Sequence, residues 1–210
     1  MALSNTGTCF LCKDGVSHRT VTKHVEKCLK NDASYQQAEK ERIFLIKVYC
    51  GKEFWLYIEI NGSAELEDLD QYLRNIWLEC CHHMSQFKIN DQRYSSNDGM
   101  NKVIHRTLKV DTKFDYEYDF GSTTWLEGKV ISSRPGQLKN SIRLVARNHL
   151  PADIICETCD QKPDVICTEC GEFICEKCKE DHDSCEGEDF MLPVVNSPRM
   201  GVCGYCGPDL

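Results

Sequence analysis

The side chains best equipped for chemistry in this sequence are its fifteen cysteines, and their spacing says more than their number. From Cys156 to Cys185 the chain reads CETCDQKPDVICTECGEFICEKCKEDHDSC. Three CxxC pairs (Cys156/Cys159, Cys167/Cys170, Cys175/Cys178) are followed there by His182 and Cys185. A CxxC turn presents two thiolates to one ion, and its backbone N–H groups can hydrogen-bond the sulfurs. Zinc takes four such ligands in a tetrahedron, so eight at this density imply two ions. The bulky apolar residues of the segment (Ile155, Val165, Ile166, Phe173, Ile174) are too few to hold a fold without metal. Disulfides would need an oxidising compartment, which nothing else in the chain supports.

A second set lies near the start, in CFLCKDGVSHRTVTKHVEKC (9–28). Cys9 and Cys12 form a knuckle, while His24 and Cys28, four apart, share one face of a helix as a single ion requires. The segment resembles a small ββα finger whose final histidine is replaced by cysteine. The competing reading makes His24 and Cys28 a buried helix face. Twelve metal ligands then imply three zinc ions per chain, each closed by four protein ligands and hence structural. The run Cys80-Cys81-His82-His83 invites a further site. Adjacent residues point in different directions, however, and no second pair lies nearby in sequence, so a packed or surface cluster is expected there. Cys50 and Cys80 read as plain buried thiols, and Cys81, Cys203 and Cys206 have no assigned role.

The elements that must position these ligands follow from periodicity. Residues 31–42 (NDASYQQAEKER) read as a short helix or linker. IFLIKVYC (43–50) and FWLYIEI (54–60) are β-rich runs joined through Gly51, which suggests a hairpin. Ser63 is placed to cap a helix with Glu65 and Glu67 in its first turn. Leu66, Leu69, Tyr72, Leu73, Ile76 and Trp77 form the buried stripe of that helix. MSQFKIN is a strand, 91–102 a polar loop and 103–111 a connection. FDYEYDFG (114–121) alternates as a half-exposed strand does, 122–132 and 141–148 are further strands, and Pro135-Gly136 marks the turn between them.

Charge is uneven. Residues 1–42 carry seven basic and five acidic side chains, 43–148 fourteen of each, and 156–189 twelve acidic against three basic. The last segment would repel a phosphate backbone, so only the N-terminal piece, with Arg19, Lys23, Lys27 and Lys30, could meet nucleic acid by charge. No apolar run reaches membrane-spanning length, and MALSNTGTCF lacks the regions of a signal peptide, so a cytoplasmic protein with reduced thiols is expected.

The C-terminal ligand order, C-x2-C-x7-C-x2-C-x4-C-x2-C-x3-H-x2-C, resembles a B-box or cross-braced RING-like finger. That resemblance implies that Cys156, Cys159, Cys175 and Cys178 share one zinc and that Cys167, Cys170, His182 and Cys185 share the other. By spacing alone, Cys203 or Cys206 could replace His182 or Cys185. Residues 43–148 resemble the plasmid pRiA4b ORF-3-like family, whose relatives include a passenger protein of a bacterial insertion element. The features that carry it are IFLIKVYC, the helix ending in Ile76-Trp77, His83 with Phe87, and above all Tyr116-Glu117-Tyr118-Asp119-Phe120-Gly121 with Trp125. NSPRMGVCGY (196–205) resembles the tail of zinc-bearing members. Ser122, Thr123 and Thr124 stand where that family has acidic residues, which weakens a carboxylate site beside Asp119. The resemblance implies an α+β fold and supplies no activity.

The expectation is therefore an α+β protein, a mixed β-sheet packed by helices and flanked by zinc-stapled modules. Its divisions are a finger at 1–30, a linker at 31–42, the central domain at 43–150 and a zinc module with tail at 151–210. The expected role is a non-enzymatic zinc-binding adaptor for protein partners, basic ones suiting the acidic module. A nucleic-acid-binding protein acting through the N-terminal finger is the first alternative. An enzyme using His82 or His83 with Tyr116, Tyr118 and Asp119 is the second, set against a reading of these as core aromatics and a turn residue.

Overall fold

A computed structural model describes residues 5–182, 185 and 190–208; part of the N-terminal MALSNTGTCF stretch therefore lies outside the described residues. The chain is α+β, as its residues imply, and its named strand pairs all run antiparallel. The opening hairpin is β1 (Thr6–Cys9) and β2 (Gly15–Ser17), followed by α1 (Val21–Lys30). The central domain runs β3 (Arg42–Cys50), β4 (Phe54–Asn61), α2 (Leu66–Leu73), a π-helical turn at Arg74–Leu78, β5 (Ser85–Ile89) and β6 (Gln92–Ser95). It continues with α3 (Ile104–Thr107), β7 (Lys113–Tyr118), β8 (Thr124–Pro135) and β9 (Ile142–Asn148). Nine strands make one sheet in the order β2-β1-β9-β4-β3-β8-β7-β5-β6. A small second sheet holds β10 (Val165–Cys167) between β11 (Phe173–Ile174) and β12 (Met191–Pro193).

The finger is therefore an extension of the main sheet, because β1 pairs with β9 through Gly7↔Asn148, Thr8↔Arg147 and Cys9↔Ala146. Gly7 permits the pairing: a Cβ there would lie 2.2 Å from the Arg147 carbonyl oxygen and 2.5 Å from Trp55. Both faces of the sheet are covered. On one, Leu66, Leu69 and Leu73 of α2 and Trp77 of the π-helical turn press onto Ile46, Ile58, Phe87 and Tyr116. On the other, Val21, Val25 and Leu29 of α1 pack with Leu45, Trp55, Tyr57 and Val145. Each helix thus buries its apolar stripe on a sheet too apolar to face water.

Some boundaries depart from the periodicity. The second helix starts from Glu65 rather than Ser63, since Glu65 bridges to Val103 and forms a reciprocal capping box with Asp68, whose carboxylate accepts the Glu65 N–H at 2.8 Å. Residues 31–42 form no helix: they cross in extended form, bridging Gln36 to Gln137. Within 91–102, expected as loop, Gln92–Ser95 returns as a strand on β5, the Asn90-Asp91 turn adopting positive φ (48° and 66°) as Asn and Asp can.

Candidate metal centres

Four groups of cysteine and histidine have ligand atoms all within 4.8 Å of one another. Three are the expected sets: Cys9, Cys12, His24 and Cys28; Cys156, Cys159, Cys175 and Cys178; Cys167, Cys170, His182 and Cys185. The fourth, Cys80, Cys81, His83 and Cys203, was not expected as a site. Each group could hold a metal ion.

Local backbone geometry explains how. Three knuckles repeat one conformation. The fifth residue of each knuckle donates its N–H to the carbonyl of the first cysteine: Lys13 to Cys9 at 2.8 Å, Asp160 to Cys156 at 3.0 Å and Gly171 to Cys167 at 2.8 Å. That residue has positive φ in each case (68°, 57°, 81°), which reverses the chain. The first cysteine then donates its own N–H to Asp14, Gln161 or Glu172 at 2.8–2.9 Å. His24 and Cys28 complete the first group from one face of α1, beside the stripe of Val21 and Val25, against whose cluster Cys28 packs. Cys203 and Cys206 share the CxxC spacing yet part company. Cys203 itself takes φ 52° and joins Cys81 and His83, while the Cys206 thiol faces the Gly204 carbonyl at 3.3 Å. Neither displaces His182 or Cys185.

Distances fit a tetrahedral ion. With Zn–S near 2.3 Å and Zn–N near 2.0–2.1 Å, the edges should be roughly 3.8 Å between sulfurs and roughly 3.6 Å from sulfur to nitrogen. Cys159 and Cys175 lie 3.5 Å apart, and His182 Nε2 is 3.7 Å from Cys170. His24 Nε2 is 3.2 Å from Cys12 and 3.4 Å from Cys28. In the fourth group Cys81–Cys203 is 3.6 Å and Cys80–Cys81 3.9 Å, with His83 Nε2 at 3.0 and 3.1 Å from Cys81 and Cys203. A disulfide needs about 2.05 Å, and none of the fifteen cysteines is joined in one. The knuckle N–H groups favour thiolate: hydrogen bonds led by the Cys175 backbone bring Cys156 down to about 6. At Cys167 burial pushes upward, but the Cys170 and Glu169 N–H groups prevail and hold it at about 6. Cys28 is pushed up to about 12, chiefly by burial, so a metal must displace its proton on binding.

His83 and Asp119 do meet, at 3.5 Å from Nδ1 to Oδ1, but not as a general base with its orienting carboxylate. The other nitrogen of His83 faces thiols. Asp119 is engaged by Arg199, which donates from Nη2 at 2.6 Å and holds the carboxyl at about 2. Tyr116 is fully buried and donates to Asp70 at 2.7 Å, Tyr118 donates to Glu79 at 3.1 Å, and His82 projects into solvent with its side chain 92% exposed. Arg199, which the sequence reading passed over, is the surprise: a fully buried arginine that also donates to the Ser122 carbonyl at 2.6 Å and Thr124 at 3.1 Å. Cys80, expected as a plain buried thiol, is half-buried and belongs to the fourth group; Cys50 is half-buried and in none.

No protein-family profile and no curated protein matches the chain. Among solved structures it is similar to the crystal structure of a protein of unknown function, MM3350, from Methanosarcina mazei Go1. The identity is 11%, covering 50% of this chain and 67% of that one, with a TM-score of 0.42.

Proposed function

We propose that the chain is a zinc-binding adaptor that docks other proteins, with Zn2+ held by the twelve ligands of its N- and C-terminal groups. The observation that carries the zinc reading is the closure of each group by four cysteine or histidine ligands. Such sites hold folds together and keep no position open for a substrate. Support for docking comes from surface chemistry. Met84, Phe120 and Trp125, exposed at 43, 48 and 57%, all stand where β5, β7 and β8 end together, the Met84 carbonyl accepting from the Asp119 N–H. The acidic excess of 156–189 suits a basic partner. The resemblance of residues 43–148 to the pRiA4b ORF-3-like family belongs to the same reading and adds no activity to it.

Nucleic-acid binding keeps one observation in its favour, the exposure of Arg19, Lys23, Lys27 and Lys30 around α1. One experiment separates the two. Crosslinking with mass spectrometry on complexes isolated from cells should place partner crosslinks on residues 151–208 or beside Trp125, and chelation should abolish the first set. Polarisation titrations with duplex DNA and single-stranded RNA should show no binding at moderate salt. Tight binding with a steep salt dependence, lost on neutralising Lys23 and Lys27, would instead establish the alternative.

A further inference from the structure

We infer that Cys80, Cys81, His83 and Cys203 bind a fourth zinc ion, and that this ion is the clasp that fastens residues 196–205 to the central domain. The other three groups draw their ligands from one stretch of chain. This one joins the turn after the π-helical segment to a tail residue far along the sequence. The inference rests on the zinc reading of the terminal groups and extends it to a place that ligand spacing does not reveal.

Four observations converge. The ligand set is three thiols and one imidazole, a combination that suits zinc, and its ligand atoms, 3.0–3.9 Å apart in four pairs and all within 4.8 Å, leave room for a tetrahedral ion. The backbone is bent to make it so: His82 at φ 61° turns the chain so that Cys81 and His83 converge, and Cys203 holds φ 52° without being glycine. A left-handed conformation of this kind is strained for a residue with a side chain and persists where surrounding contacts enforce it.

The surroundings are those of a ligated centre. Asp119 faces His83 Nδ1, leaving Nε2 for the metal, as Glu172 faces Nδ1 of His182 at 3.4 Å in the C-terminal module. Arg199 Nη2 reaches the Cys80 sulfur at 3.6 Å and Tyr118 OH lies 3.9 Å from it. Zinc with three thiolates carries one net negative charge after three thiol protons leave. Asp119 adds another, and buried Arg199, which reaches both Asp119 and the Cys80 sulfur, brings positive charge to them; Arg74, over the same Tyr118 ring, is engaged by Glu79 and Asp70.

Finally, the tail is already seated for fastening. Ser197 donates to the Trp77 carbonyl at 2.5 Å, Asn196 exchanges hydrogen bonds with Asn148, and Arg147 donates to the Asn196 carbonyl. Cys81 and Cys203 are exposed, whereas each terminal group keeps a fully buried cysteine, so the clasp ion should be the first lost to a chelator.

The test is native mass spectrometry with elemental analysis on the full chain purified without chelator, beside Cys203→Ser and Cys206→Ser. Four zinc ions are expected for the parent and for Cys206→Ser, and three for Cys203→Ser. Because the Cys203 side chain is exposed and lies outside the strands and helices, Cys203→Ser should keep the parent's circular dichroism. Hydrogen exchange in 196–205 should rise at least tenfold in Cys203→Ser alone. Three zinc ions in the parent with no change in Cys203→Ser would overturn the clasp and spare the terminal sites; fewer than three would overturn both readings. A fourth ion that survives Cys203→Ser, or its loss without faster exchange in the tail, would overturn the fastening role.

Discussion

Asp119 and Arg199 form an ion pair from which water is excluded, one in the left-handed turn after β7 and the other in the tail. A buried pair broken from one side leaves a charge with no partner, at a cost of about 3–5 kcal/mol. Arg199→Leu should therefore lower the stability read by denaturant unfolding by that order. Arg199→Lys, which keeps the charge but loses the fork that also reaches Ser122 and Thr124, should lose less. At this scale the terminal ligands were legible, because CxxC and the four-residue step of α1 bring donors together through local geometry alone. Cys203 was not, because its partners Cys80, Cys81 and His83 are supplied by tertiary folding, and no local spacing encodes that. Arg199 was missed for the same reason: nothing in NSPRMG marks an arginine as buried.

At the scale of elements, the β1–β9 pairing and the linker knot each make a separable expectation. Gly7→Ala would drive a methyl group into the Arg147 carbonyl and Trp55, and backbone cannot step aside cheaply. An overpacking cost of about 1–3 kcal/mol should appear as faster hydrogen exchange in β1 and β2, with residues 43–130 unchanged. In the linker, Asp32 joins Arg143 and Arg134, and both arginines also grip Glu59, whose carboxylate is buried. Burial alone would raise the Asp32 carboxyl, but hydrogen bonds from Arg143 and Ser34 hold it at about 2. Since that lies below the unfolded value, the stabilisation is complete above about pH 4 and is lost as pH falls through about 2. Asp32→Asn should cost about 2 kcal/mol near neutrality, and the gap in melting temperature from the parent should narrow as the pH is lowered below 4. The strands and the second helix were readable because alternation and the 3.6-residue stripe match the faces they bury. The choice between short helix and linker for 31–42 was open because its polar residues fit either, and the Asp32 ion pairs with the Gln36–Gln137 bridge decide for a linker without helix.

Across the whole molecule, dependence on metal should differ from part to part. The buried apolar side chains between 155 and 182 are Cys156, Pro163, Cys167, Ile174 and Cys175, so that module has almost no core besides its candidate ligands. The N-terminal finger leans on Trp55, Tyr57 and Val145, and the central sheet has an apolar core of its own. Chelation followed by hydrogen exchange should leave 43–148 protected, loosen α1 in part, and release 156–182 to the rate of an open chain. Among the described residues no helix is long and apolar enough to cross a membrane. The β1–β9 pairing also sets an order in time. During synthesis residues 9–28 leave the ribosome ahead of the central domain with all four of their candidate ligands, so a nascent chain can close that metal knot before the sheet is complete. The edge that knot must dock on does not exist until Asn148 has emerged. Long-range pairings of this kind form late, so a unit that can close early is among the last to find its place.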